Sequence, residues 1–298
     1  MMKATVLLAV TAFAALGQTD ADRVLNGAID IHVHAAPDST ERSIDSIDVA
    51  KLAKARGMRA IVLKSHYEPT ATMAYIVRKE VPGIEVFGGI DLNLTVGGMN
   101  AVAVEHMTQV AGGWGRLVWM STFDAENQVR YSKENRPFVR VSKDGVLVPE
   151  VKDVIAVIAK HNLVLATGHV SPEEGLMLVR EGKRQGVRHI VVTHAMMQPV
   201  LMNVVQMQQA AKEGAFVEFV AGSIAGRGGQ AKVDSYADAM RKVGLESCIL
   251  ASDLGQKNNA LPPDGLGAFL LALRARGFTD AELDRISKQN PATLLDLN

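Results

Sequence analysis

Apolar residues gather in short, nearly continuous runs along this chain. Each run is followed by a polar or glycine-rich stretch and then by a segment with helical spacing. Eight runs stand out, at 28–33, 60–63, 85–92, 117–120, 163–167, 189–193, 215–220 and 248–251. Runs of this length read as strands buried on both faces. The intervening stretches are amphipathic, as at 44–56, where Gly57 supplies a C-terminal stop. Ser171-Pro172-Glu173-Glu174 offers a cap, a proline for the first helical position and acid in the first turn. Thr279-Asp280-Ala281-Glu282 reads as a capping box. Strands alternating with helices predict a parallel sheet covered by helices. Eight such units predict a closed (β/α)8 barrel of the TIM type, an open doubly wound sheet being the weaker alternative.

Two stretches depart from this rhythm. After the fourth strand, the segment 123–148 is too long for a simple connection. Within it 138–141 and 146–148 flank Lys143-Asp144-Gly145, which predicts a β-hairpin insertion, either a lid over the barrel mouth or a surface decoration. At the start, Met1-Met2-Lys3 precedes an apolar stretch with small residues before Gln18. This predicts a secretory signal over 1–20 and a single barrel domain over 21–298, placing the protein in the periplasm or outside the cell. Without cleavage, the segment reads as an N-terminal helix of a cytoplasmic protein.

Composition removes several functions. The 298 residues balance 32 Lys and Arg against 32 Asp and Glu, and aromatics make up 5%. Neither a charge excess nor a stacking surface points to nucleic acid. No later segment is long and apolar enough to span a membrane. The lone Cys248 rules out an intramolecular disulfide and a cysteine-rich zinc site. Neither GxGxxG nor GxxxxGK[ST] occurs, so a nucleotide site has no support. The expected partner is a small-molecule substrate. A barrel of this size is compatible with a homo-oligomer, though no surface for one is identifiable.

The histidines carry the chemistry. His32 and His34 close the first strand, and spacing i, i+2 puts both on one face. His66 follows the second strand, His169 ends the fifth, His194 the sixth, and Asp253 the eighth. Five of eight histidines thus fall where barrels of this type place their active sites. His106, His161 and His189 fall elsewhere. Any one strand-end histidine reads as a hydrogen-bonded surface residue; the set reads as an N/O shell for a divalent metal, Zn²⁺ first, with Mn²⁺ or Fe²⁺ as alternatives.

The order His-x-His, His, His and Asp on strands one, five, six and eight resembles the amidohydrolase superfamily. Gln289-Asn290-Pro291-Ala292-Thr293-Leu294-Leu295 is similar to the segment that often ends such barrels. Closer still, His-Val-His, Leu-Lys-Ser-His and Thr-Gly-His resemble a phosphotriesterase/amidohydrolase-like branch of metal-dependent hydrolases. The resemblance implies that His32, His34 and Asp253 hold one metal, with His169 a further ligand. His194 would be a ligand of a second metal or would orient the substrate, and Asp253 would double as general base. Binuclear members commonly bridge their ions with a carboxylated Lys or a Glu from the fourth strand. Here that strand ends Trp119-Met120-Ser121-Thr122. Lys64, on the second strand in phase with His66, is left as a carboxylated bridge, as an ammonium facing an oxyanion, carboxylate or phosphate, or as an ion-pair partner of Asp91 or Glu218. The charged readings are preferred. One or two ions are expected, with one preferred.

The function implied is metal-dependent hydrolysis of an amide, lactone or ester. Asp253 would handle the proton, while His194, His66 and Lys64 steady developing charge. Phosphoester hydrolysis, decarboxylation or isomerisation on the same scaffold, and non-catalytic metal-dependent binding are the alternatives. Asp91 and Asn93 read as turn and helix-cap residues in preference to pocket residues. Met196, Met197, Met202 and Met207 read as core. Ser252 lacks the Gly-x-Ser-x-Gly setting of a nucleophile.

Overall fold

The structure is a computed structural model and describes residues 19–224 and 229–297. In chain order it runs α1 (Asp20–Leu25), β1 (Ile29–His34), α2 (Ser46–Ala55), β2 (Ala60–Lys64), α3 (Ala71–Glu80), β3 (Glu85–Asp91), α4 (Ala101–Thr108) and β4 (Gly115–Trp119). Then come α5 (Glu126–Tyr131), β5 (Ser142–Lys143), β6 (Val146–Leu147), α6 (Pro149–Lys160), β7 (Val164–Ala166), α7 (Pro172–Arg184), β8 (His189–Val192) and α8 (Val204–Lys212). The chain ends with β9 (Phe216–Val220), α9 (Gly229–Val243), β10 (Cys248–Ala251), α10 (Pro262–Arg274), α11 (Asp280–Asp284) and α12 (Asn290–Leu294). The eight long strands form one sheet in the order β1-β2-β3-β4-β7-β8-β9-β10, every neighbouring pair parallel. All eight expected strands are present, with ends displaced by one or two residues. The expected secretory segment, 1–20, lies outside the described residues except for Thr19 and Asp20, which open α1. No helix among the described residues is long and apolar enough to cross a membrane.

The barrel closes between β1 and the residues after β10. Asp253 N–H donates to His32 O and His34 N–H to Leu254 O, both at 2.9 Å. Below these, a side chain does the work of a backbone carbonyl. Asp30 Oδ1 accepts from Ser252 N–H at 3.0 Å and from His32 N–H at 3.1 Å. Ser252 Oγ donates to His32 O at 3.0 Å, so Ser252 is a seam residue. Burial pushes the Asp30 carboxyl up to about 6 against these hydrogen bonds.

Alternation along the strands separates two apolar cores. Ile61, Leu63, Val118 and Leu165 face outward beneath the helices. Ile31, Val62, Leu117, Trp119 and Ile249 face inward and fill the barrel, with Leu294 and Leu295 joining them at the chain's end. At β2 this inward row ends in the ionisable Lys64, and on β1 a register shift between Asp30 and Val33 breaks the alternation, so that His32 and His34 follow Ile31 into the barrel. Trp119 is the large side chain at the boundary, 1% exposed, with Lys64 Nζ 5.2 Å from its ring centre.

The insertion after β4 differs from the expected one in two ways. The hairpin turns at Asp144 and Gly145, both at positive φ, but its first arm is Ser142–Lys143 instead of 138–141. Val139 bridges Ala125 instead. The short helix α5 was not foreseen, because six residues inside a polar stretch give little periodicity. The hairpin docks on α7, where Ser142 Oγ donates to Glu174 at 2.7 Å. The part that reaches the barrel mouth is the preceding 123–128, where Phe123 packs on His66 and Gln128 hydrogen-bonds to His169.

Candidate metal centre

Special backbone conformations aim the side chains. Gly168, at φ +70°, directs the chain from β7 to His169; a Cβ there would collide with the carbonyls of Met120 and Ser121. His194 and Asp253 follow β8 and β10 at φ +26° and +48°, left-handed conformations that cost a non-glycine residue about 1–2 kcal/mol. Such strain tends to collect at functional sites. His32, His34, His66, His169, His194 and Asp253 are all buried.

Among the described residues, His32, His34 and Asp253 form the group whose potential ligand atoms lie within 4.8 Å of one another. Asp253 Oδ1 stands 3.1 Å from His32 Nε2 and 3.2 Å from His34 Nε2. His32 Nδ1 lies 3.1 Å from Glu218 Oε1. A carboxylate only accepts, so the neutral imidazole carries its proton on Nδ1. Its Nε2 lone pair then faces a carboxylate oxygen at 3.1 Å, an arrangement that requires a positive charge between them. In the protein alone a proton meets that need. Burial disfavours the imidazolium, yet the Asp253 and Glu218 carboxylates raise His32 to about 9. A divalent cation meets it equally well, so the N, N, O donor set fits a metal.

Two further histidines are fixed in the same tautomer. Thr122 Oγ donates to Asp91 Oδ2 at 3.0 Å and accepts from Asn93 Nδ2 at 2.7 Å. Its remaining lone pair accepts from His66 Nδ1, 2.9 Å away. His169 Nδ1 donates to Gln128 Oε1 at 2.9 Å. Both Nε2 lone pairs are thereby left free. The ring centres are 4.7 Å apart for His169 and His194, 4.9 Å for His34 and His66, and 5.9 Å for His66 and His169. These three expected ligands therefore belong to the same cluster of rings but stand outside the tight group of three.

Burial holds His34 at about 3 and His194 at about 4, and it keeps His66 and His169 well below the usual imidazole range. Burial works against the charged forms of Asp253 and Glu218 too, but the adjoining His32 outweighs it and both carboxyls fall below their ordinary values. Asp91 goes the other way: burial lifts it to about 6, against the pull of Lys64 and Thr122.

Of the two ion-pair partners expected for Lys64 one is found, and the side-chain cap expected at Asn93 is corrected. Lys64 Nζ pairs with Asp91 Oδ2 at 3.5 Å, whereas Glu218 belongs to His32 and His194. Asn93 does not cap a helix with its side chain. Its amide donates to His66 O and Thr122 Oγ, and its Oδ1 accepts from Ser121 Oγ, Thr122 N–H and Asp124 N–H. Asn93 and Asp91 are thus parts of the site's scaffold. Phe123 stacks on His66 with ring centres 3.9 Å apart, and Asn127 Nδ2 donates to His169 O and Pro199 O. Met202 and Met207 are core, as expected, but Met196 and Met197 line a cavity of about 400 Å³ beside the turn at His194.

Comparison with known proteins places this geometry in context. No curated protein matches the chain. Among solved structures, an amidohydrolase from Pseudomonas aeruginosa superposes with a TM-score of 0.62 at 14% identity, covering 92% of this chain and 97% of that one. An organophosphorus hydrolase from Deinococcus radiodurans gives 0.58 at 15%, covering 92% and 93%. A phosphotriesterase homology protein from Escherichia coli, complexed with phosphate in its active site, gives 0.61 at 17%, covering 91% and 99%. The chain therefore shares its barrel fold with these proteins. Residues 27–218, well over half of the chain and all of the site except Asp253, match one family model, and the protein belongs to that family of unknown function, DUF6282.

Proposed function

We propose that the protein is a metal-dependent hydrolase acting on an amide, lactone or ester bond of a small molecule. The observation that carries this reading is the buried His32, His34 and Asp253 group, with a nitrogen lone pair set against a carboxylate oxygen. The names of the three structural neighbours given above, hydrolases or a hydrolase homologue, point the same way. A divalent ion at this position supplies Lewis acidity, polarising a substrate oxygen and lowering the pKa of water from about 15.7 towards about 7. Asp253 then has two duties, as a ligand and as the base that moves a proton from the attacking water to the leaving group. Lys64 and His66 present an ammonium and an imidazole where negative charge develops, and Asp91 and Thr122 hold both in place. His169 and His194 are proposed as the ligands of a second ion or as substrate contacts.

One observation favours a second reading, phosphoester hydrolysis. The Lys64 ammonium is buried and, beyond its 3.5 Å ion pair with Asp91, makes no hydrogen bond within the protein, as suits an oxygen-rich anion. The test begins with metal content by elemental mass spectrometry. The wild type is expected to carry one or two equivalents of Zn, Mn or Fe, and His32→Ala combined with His34→Ala to lose at least one. A panel of amides, lactones, carboxylic esters and phosphoesters then separates the readings. No metal after reconstitution would remove the hydrolase reading.

We also propose export from the cytosol. The leader pattern supports it, and cleavage before Gln18 would leave Thr19 to cap α1. N-terminal sequencing of the protein from its source should begin near Gln18; an intact Met1 would refute export.

A further inference from the structure

We propose that Glu218 is a positioning residue that makes His32 a metal ligand and at the same time fixes the backbone of His194. The proposal rests on the metal-centre reading above. Glu218 is 2% exposed in the apolar strand Phe216–Val220, and among the described residues its ion-pair partner is His32. Both of its oxygens are engaged. Oε1 faces His32 Nδ1 at 3.1 Å, and Oε2 accepts the main-chain N–H of His194 at 2.7 Å. Its own carbonyl accepts Ala195 N–H at 3.1 Å. One residue of β9 therefore ties β1 to the turn after β8, although β10 lies between β9 and β1 in the barrel.

Two acceptors are what this position needs. The first oxygen keeps the His32 proton on Nδ1 and its Nε2 lone pair free. The second holds His194 at φ +26°, a conformation its own chain does not favour. A glutamine has one acceptor. Its NH₂ must meet either His32 Nδ1, driving the proton to Nε2, or the His194 N–H, donor against donor. An aspartate keeps both acceptors but is one methylene shorter and does not span both partners. Acceptors behind metal-bound histidines commonly govern metal affinity in this way.

The test compares wild type, Glu218→Gln and Glu218→Asp, with zinc as the probe. Zinc affinity is read by competition with a chromophoric chelator. The His32 tautomer is read from ¹⁵N–¹H spectra of the zinc-loaded protein, and protection of the His194 amide from hydrogen exchange. Both variants should bind zinc about 10–100-fold more weakly. The Gln variant should lose the His32 Nδ1–H resonance or, where its NH₂ turns to His194 instead, the protection of the His194 amide. The Asp variant should release one of the two partners, and both should keep the wild-type circular dichroism. Zinc affinity within twofold of wild type, with that resonance retained, would overturn the proposal. So would a wild-type spectrum with the His32 proton on Nε2, whether or not the variants fold. Wild-type protein that takes up no zinc would instead overturn the metal-centre reading, and this proposal with it.

Discussion

Replacing Asp253 with Asn is expected to lower turnover by about 10²–10⁴-fold while the barrel stays folded. The exchange keeps the side chain's size and one oxygen, so the seam beside it, made by the Asp253 N–H and His32 O, is untouched. It removes the group that takes up a proton. In the wild type that group is fully ionised, since His32 and His34 more than offset the cost of burying it. An amide oxygen is also the poorer metal ligand, so metal content has to be measured alongside turnover on whichever substrate the panel identifies. Near-normal turnover with metal bound would show that another residue is the base.

Truncating Trp119 to Ala is expected to cost about 3–5 kcal/mol of stability, the usual range for a buried tryptophan. Trp119 is the largest of the fully buried side chains and packs with the apolar filling of the barrel. Its neighbours belong to a rigid sheet, which limits collapse into the space left behind. The ring also lies under Lys64 Nζ, and its centre is 6.2 Å from that of His32, so the damage should reach the metal-ligand cluster. At about 2–4 °C per kcal/mol, the melting temperature should fall by about 10 °C. Calorimetry on the wild type and the variant decides this. A shift below about 3 °C would mean that the barrel is plugged by other groups.

Much of this architecture is legible in the sequence because parallel strands buried on both faces leave apolar runs that need no partner to be recognised. The six site residues named from strand ends all meet in one buried cluster, because the barrel itself gathers those ends. What the sequence conceals is pairing across strands. Glu218 and His32 are 186 positions apart and Thr122 and His66 are 56 apart, and no local pattern links them. A signal existed for Glu218, a charge inside Phe-Val-Glu-Phe-Val, but it marks a buried carboxylate without naming its partner. Asn93 gave none: an Asn just after a strand reads as a cap, and only the fold shows its amide satisfied by His66 and the 121–124 turn. The hairpin's turn residues identified it, whereas its docking on α7 depends on a contact with Glu174 that composition does not encode.

His34 and Asp253 stand 219 positions apart and meet only where the first and last barrel strands join. A nascent chain shorter than 253 residues lacks the carboxylate donor of the tight group. Ion uptake on this reading is an event of the finished barrel, and a bound ion acts as a clasp across its last seam. At a free ion concentration 1,000 times the dissociation constant, that clasp adds about 4 kcal/mol to the folded state. Survival against proteases would then follow the metal supply of the compartment in which the barrel closes.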